Sequence, residues 1–508
     1  MEHIGPEVNV TPEVGSLARG RLGTWGIVFL VFAAMTPLVG LTSITGLAMS
    51  LGSGIGIVGL YIVVGICVLI FQVGYSAMST EITNAGAFYA YVTRGFGRTA
   101  GLAASLLSTL MYQMITVILA AFFAFYANVT MAEQAGVDIP WQIWAFLAIA
   151  AVFVLGRRNI DVSSKLLGIA VALETIMALI FVVAVIVRQG ISAFPLDVFN
   201  PRVMFGGQIG ISVMMVVYAF GGIESNAIFG EEARDMKRTV RRAGLIAPCL
   251  LALFYTIAGW ALVAALGATH AQQKAIEFPG TVFFEANTAM VGSWSTVLIQ
   301  WLILFSLFAA LLGVHNFGMR YFFALGRDGI LPRLLAKTNP KTHAPYHAGE
   351  LQICCLIVLL GAFMVAGADP MIDIVTGFGG VIVLINTFLW AWVSAAALAY
   401  FWKRRDVSVW ETKVAPILSV LIMLTLCAVI LIWYTDITGA GGVYAQMPWM
   451  IPAVIVMGVV YALWLRKYRP QTYAILGQLS VTEGLDSNAA DSSSTPASRA
   501  EMVQRGGR

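Results

Sequence analysis

The sequence predicts an all-α membrane protein of twelve spanning helices, arranged as a five-plus-five inverted repeat. Three observations carry that expectation. Of the 508 residues, 59% are hydrophobic and only 11% charged, a balance that makes lipid the solvent for most of the chain. The apolar residues gather in runs near the length that crosses a hydrocarbon core, about 20 residues. Two of those runs, five apart, are interrupted by Gly, Pro or a carboxylate. An unbroken helix would be cheaper in hydrocarbon, so an interruption there marks backbone that lines a cavity.

In chain order, residues 1–23 are polar, with Pro6, Pro12, Arg19 and Arg21 and no apolar h-region. They read as a cytoplasmic tail and not as a cleaved signal peptide. Spans are expected near 24–50, 54–78, 100–130, 141–157, 165–188, 207–230, 243–268, 293–318, 350–368, 373–402, 414–435 and 447–466. The transporter domain is therefore 24–466, with repeats at about 24–188 and 207–402 and the last two spans as additions. The loop 269–292, with Gln272, Gln273, Lys274, Glu277, Pro279 and Gly280, leaves room for a short surface helix acting as a lid. Residues 467–508, Ser/Ala-rich and polar, read as a disordered cytoplasmic tail.

Charge sets the orientation. Of the 30 Lys and Arg residues, 27 fall in the N-terminal tail, after the even-numbered spans, or from Arg466 onward. Only Arg188, Arg202 and Lys274 fall on the other side. The positive-inside rule then predicts a multi-pass protein of the cytoplasmic (inner) membrane with both termini in the cytoplasm. The net charge of +4 is small and dispersed, which argues against a nucleic-acid partner.

Three patterns are declined. The five cysteines lie inside apolar runs and match neither a disulfide framework nor a metal site. Gly54-Ile-Gly-Ile-Val-Gly59 fits a dinucleotide pattern but opens a membrane helix, where small-residue packing explains it. His343 and His347 have metal spacing, yet Pro345 lies between them in a loop and no third ligand follows. No cofactor and no metal are expected.

The two breaks are the chemistry. In span 1, Met35-Thr36-Pro37-Leu38-Val39-Gly40 loses a backbone donor at Pro37 and helix preference at Thr36, while Gly40 adds freedom. An ordinary proline kink is the bland alternative. In span 6, Gly221 and Gly222 precede Glu224 at membrane depth. An odd offset of five reverses direction across the bilayer, as an inverted repeat requires. The freed amides of Thr36, Leu38, Val39, Gly221 and Gly222 are expected to face a carboxylate, and freed carbonyls a cation or ammonium.

These stretches resemble a known family. Tyr218-Ala-Phe-Gly-Gly-Ile-Glu-Ser, followed by Glu231-Glu-Ala-Arg-Asp-Met-Lys-Arg, resembles the sixth-helix signature of the amino acid–polyamine–organocation permeases. Asn84-Ala-Gly-Ala-Phe-Tyr-Ala-Tyr with Gly95-Phe-Gly-Arg, Ser163-Ser-Lys, and Arg320 with Ala324-Leu-Gly-Arg-Asp-Gly-Ile-Leu-Pro agree in order. The resemblance covers about residues 24–466. It implies a leucine-transporter-type fold and secondary transport of amino acids or organic amines, with substrate carboxylate at the span 1 break. Glu224 would then belong to the site or its inner gate. Two departures stand out. Met35-Thr-Pro-Leu replaces the Gly-Ser-Gly-Ile-like break of many members, and is similar to a branch containing polyamine and amine permeases. Glu174 stands where some proton-driven members have Lys.

Candidate substrate contacts are thus Met35, Thr36, Pro37, Leu38, Val39, Gly40, Tyr112, Phe220, Gly221, Gly222, Glu224 and Asn386. Glu174 and Glu224 are candidate proton carriers, since intramembrane carboxylates are usually functional. The bland alternatives are break-capping for Glu224 and an interhelical hydrogen bond for Glu174. Gln113, Ser306, His315 and Asn316 read as interhelical hydrogen-bonding groups. Tyr89, Glu231, Glu232 and Arg238 are expected at the inner gate. The function predicted is a proton-coupled importer of an amino acid, small organic amine or polyamine. A sodium symporter or an exchanger of the same fold is the alternative, and a non-transporting receptor ranks below both.

Overall fold

The computed structural model describes residues 23–82, 88–158, 164–225, 236–327, 329–339, 344–404, 408–438 and 442–476. Among them every regular element is helical. Nine helices among the described residues are long and apolar enough to cross a membrane, from Gly54–Glu81 to Tyr444–Tyr468. A tenth unit is the pair Thr24–Phe32 and Pro37–Leu51, bent by 42° at the break. The remaining two expected spans are shorter apolar helices, Trp141–Arg157 and Ile209–Ala219. The second is short for the reason the sequence suggested: its helix ends where Phe220, Gly221 and Gly222 turn.

Packing follows the logic of lipid, where apolar surface alone gives helices no reason to associate and close backbone approach does. Met236–Leu266 lies along Ile57–Glu81, Ser293–Arg327 along Arg98–Ala135, and Gly379–Phe401 along Ala415–Ile432. Small residues mark the contacts: Gly65 against Ala252, Gly95 against Ala396, and Gly458 against Ala103. A Cβ on Gly65 would stand 2.7 Å from that of Ala252, so the crossing needs the glycine.

The helix Ser164–Gln189 shows how one element serves two solvents. Leu173, Ile176, Leu179 and Val183 are 40–56% exposed and form a lipid face. On the opposite face Met177, Ala178 and Phe181 are buried, and Glu174 with them at 0%. The helical period therefore turns Glu174 inward, towards the short helical turn Pro37–Val39 that packs on this helix.

The loop 269–292 folds as two helices, Ala271–Glu277 and Val282–Met290. It covers one end of the bundle. The Tyr126 hydroxyl lies 2.7 Å from that of Ser43 and donates to the Gly280 carbonyl at 2.8 Å. Ser53 and Ser212 join hydroxyls at 2.9 Å, and Gln272 sits over Gly54. The opposite end is tied by ion pairs between Arg404 and Glu81, at 2.8 Å, and between Arg241 and Glu411.

Helical structure continues past the boundary expected at 466. The helix Pro470–Ile475 follows Tyr468, the Tyr473 hydroxyl meets that of Thr99 at 2.9 Å, and Leu476 is buried with Leu102, Leu325 and Ile330. Residues 1–22 and 477–508 lie outside the described residues.

Candidate functional site

Thr36 carries the first break. Its φ of 43° and ψ of 63° make it the single non-glycine residue with positive φ among the described residues. Pro37 clashes with a preceding residue in the α region, and the chain resolves the clash by a left-handed residue. Such a conformation costs of order 1–3 kcal/mol for a β-branched side chain. The Thr36 carbonyl then accepts from the Val39 and Gly40 amides at 3.0 and 3.2 Å. Helix resumes through a wide turn, Gly40–Ile44.

Gly40 is required by what faces it. A Cβ there would fall 2.1 Å from the Tyr255 hydroxyl oxygen. That hydroxyl reaches the Ala219 carbonyl at 3.4 Å, at the end of the sixth expected span. The Tyr255 ring stacks on Tyr61 at 4.8 Å, and the Tyr61 hydroxyl lies 2.8 Å from that of Thr45, which donates to the Gly40 carbonyl at 3.1 Å. One tyrosine therefore touches both breaks.

The second break is held from the helix Ile57–Glu81. Gly222 takes a φ of 97°, open to glycine and strained for other residues. Gln72 donates its side-chain amide to the Ile223 carbonyl at 3.2 Å, and the Tyr75 hydroxyl donates to the Glu224 carbonyl at 2.9 Å. The Glu224 carboxylate folds back and accepts from the Gly222 amide at 3.2 Å. The Gly221 amide is taken by the Tyr218 carbonyl at 2.9 Å.

This revises part of the expectation. The amides of Val39, Gly221 and Gly222 are not free, because short-range carbonyls and the Glu224 side chain reach them first. Leu38 differs: its amide faces the Glu174 carboxylate, which also faces the Ser306 hydroxyl. Both contacts are too loose to count as full hydrogen bonds, and neither Glu174 oxygen has another partner. Each break thus presents a backbone amide to one of the protein's own buried carboxylates.

Aromatic groups surround Glu224. The hydroxyls of Tyr75, Tyr112 and Tyr321 lie within range of its charge, and the Trp390 indole faces it. Tyr112 and Tyr321 approach at 5.3 Å between ring centres, Phe71 and Trp390 at 5.1 Å, Phe71 and Tyr75 at 5.2 Å. Asn386, one turn before Trp390, keeps its amide oxygen buried without a donor, and Gln113 beside Tyr112 has neither amide atom paired. Phe220 is fully buried and meets Tyr255 edge-on at 6.3 Å. Met35, Leu38 and Val39 are buried around the first break, with Pro37 opening the resumed helix.

Sequence reasoning missed Gln72, Tyr75, Tyr255, Tyr321 and Trp390. A weak signal was present, since a buried Tyr or Trp keeps a polar tip that needs a partner. The expected inner gate is only partly visible. Glu231 and Glu232 lie outside the described residues. Tyr89 is half-buried on the helix Phe88–Phe96, and Arg238 is exposed near the start of Met236–Leu266. Among the described residues no cluster of three metal-ligating side chains occurs.

Residues 22–460 match the family described as amino acid permease. A branched-chain amino acid permease of Lactococcus lactis is 25% identical over 339 residues, 61% of this chain and 69% of its own length. An uncharacterized transporter of Mycobacterium tuberculosis is 31% identical over 152 residues, 29% of this chain and 32% of its own. A methylthioribose transporter of Bacillus subtilis is 22% identical over 326 residues, 60% and 67% respectively.

Proposed function

We propose that this chain, which belongs to the amino acid permease family, is a proton-coupled importer of an amino acid or small organic amine, working by alternating access. Family and relatives make it an integral membrane transporter and not an enzyme. The names of the relatives span branched-chain amino acids and a thioribose. Substrate chemistry is therefore argued from the site.

The observation that carries the reading is the loosely held Glu174 carboxylate at the Leu38 amide. A buried carboxylate with no basic partner among the described residues has two ways to be satisfied: take a proton, or gain donors. Protonation removes its attraction for the half-helix N-terminus and frees the resumed helix Pro37–Leu51 to move. Glu224, ringed by Tyr75, Tyr112, Tyr321 and Trp390, suits a substrate ammonium, which gains from both the carboxylate and the ring faces. In that state the ammonium competes with the Gly222 amide for Glu224, and the released amide becomes available to a substrate carboxylate. The inverted repeat, the inner membrane and cytoplasmic termini belong to the same proposal.

Uptake into proteoliposomes tests it. An inward proton gradient is expected to drive accumulation in the wild type and to have no effect on Glu174→Gln. Accumulation that needs sodium, or counter-substrate inside the vesicle, would assign the symporter or exchanger instead. Saturable binding without accumulation would leave only a receptor.

A further inference from the structure

A cavity of about 260 Å³ lies at the basic end of the bundle, away from both breaks. Its walls are Val73 and Ser76 of the helix Ile57–Glu81, Arg241 and Leu245 of Met236–Leu266, and Trp410 and Glu411 from the turn Trp410–Val414. Tyr75, next to Ser76, points elsewhere and holds the Glu224 carbonyl. The cavity therefore shares a helix with the central site without being part of it.

Three observations point to a ligand. Ser76 is 1% exposed and lines the cavity, yet its hydroxyl has no partner. Serines in these helices normally bond back to a carbonyl one turn earlier, as Ser108 does to Ala104 and Ser394 to Trp390, each at 2.8 Å. A buried hydroxyl left unpaired costs about 1–3 kcal/mol and asks for an explanation. Next, Arg241 and Glu411 set opposite charges side by side in the wall. Their side chains remain 50% and 18% exposed, so both charges are open to further partners. Last, Trp410, half exposed, adds an aromatic face beside Val73 and Leu245. Tryptophan at this level is typical of the lipid–water boundary.

We propose that this cavity binds a zwitterion in which a primary ammonium and an anionic group stand a few bonds apart. The ammonium pairs with Glu411, donates to the Ser76 hydroxyl oxygen and lies against the Trp410 ring. The anionic group takes guanidinium N–H groups of Arg241 that Glu411 does not use. A lone cation would be repelled by Arg241 and a lone anion by Glu411. A zwitterion completes a four-charge array that is neutral overall. The phosphoethanolamine headgroup of a lipid and a free α-amino acid share this chemistry. Occupancy would brace the helix that holds Glu224 against the turn Trp410–Val414.

The test is binding, and it does not depend on transport. Full-length protein carrying Glu224→Gln, which weakens the central site, is titrated in phosphatidylcholine nanodiscs with phosphatidylethanolamine, phosphatidylglycerol, soluble phosphoethanolamine or alanine, and the unfolding midpoint is followed. Phosphatidylethanolamine or alanine is expected to raise the midpoint, while phosphatidylglycerol, which lacks the ammonium, does not. Glu411→Gln is expected to weaken binding about tenfold. Ser76→Val, which fills the corner and leaves the ion pair, is expected to abolish the shift; if it fails to fold, Ser76→Ala should weaken binding several-fold. A Ser76-dependent shift with the lipid alone assigns the headgroup, and one with alanine assigns the free amino acid. No shift with either probe, shifts that survive both substitutions, or equal shifts with phosphatidylglycerol would overturn the proposal.

Discussion

Glu174 and Leu38, 136 positions apart in the sequence, face each other inside the bundle: a fully buried carboxylate opposite a backbone amide left exposed by Pro37. Glu224 and Gly222 repeat the relationship at the second break, within one turn of chain. The first pairing can be undone by moving one helix against another, while the second requires only a side-chain rotation. That difference separates the roles expected of the two glutamates.

Glu174→Gln keeps an acceptor for the Leu38 amide and removes the titratable charge. The expected outcome is uptake that no longer responds to external pH, at near wild-type thermal stability. Glu174→Leu also removes the acceptor and is expected to lose the pH response as well, with a stability change below about 1 kcal/mol because the contacts it breaks are loose. Paired pH profiles of uptake and unfolding midpoints of both variants check this.

Glu224→Gln still offers an oxygen to the Gly222 amide and should fold normally. Its substrate affinity is expected to fall at least about tenfold, the usual scale for losing one buried charged contact. Equal affinity in wild type and variant, measured by scintillation proximity binding, would restrict Glu224 to capping its own break.

Gly40→Ala forces a methyl into the Tyr255 hydroxyl and is expected to cost about 1–3 kcal/mol. Tyr255→Phe removes only the nearest atom, since the ring carbons would still lie 2.7 and 2.8 Å away. The double variant should therefore recover part of the loss. A double-mutant cycle on thermal unfolding reads the coupling directly.

Gly222→Ala tests the second break. At a φ of 97° an added Cβ strains the backbone by of order 1–3 kcal/mol. Transport is expected to fall more than stability, because the Glu224 carboxylate loses its aim at the site. Gly361→Ala, where a Cβ would meet open space within a helix, is the matched control and should leave transport unchanged and stability unchanged or slightly raised.

The two breaks were legible because their cause is local. Pro37 denies its predecessor the α region, and consecutive glycines in hydrocarbon weaken a helix wherever they occur. The inward face of Glu174 follows from helical periodicity once the span is drawn. Tyr255, Tyr75 and Trp390 were not legible, since each is one more aromatic in an apolar helix until its neighbours are known. The docking of residues 470–476 was not legible for a related reason: Leu476 becomes core, and Tyr473 packs beside it, only because Leu102 and Thr99 stand opposite.

By itself, the sequence determined that the chain lives in lipid, roughly where its helices run, and which two of them break. Those properties depend on the transfer preference of each residue and on backbone sterics between neighbours, which act within a few positions. Only the tertiary structure decided which group satisfies each exposed amide and carbonyl. In hydrocarbon no water competes for such groups, so the partner is whichever donor or acceptor the packing brings near. Here packing brought Glu174 to Leu38, Gln72 to Ile223 and Tyr75 to Glu224, across separations no local pattern encodes.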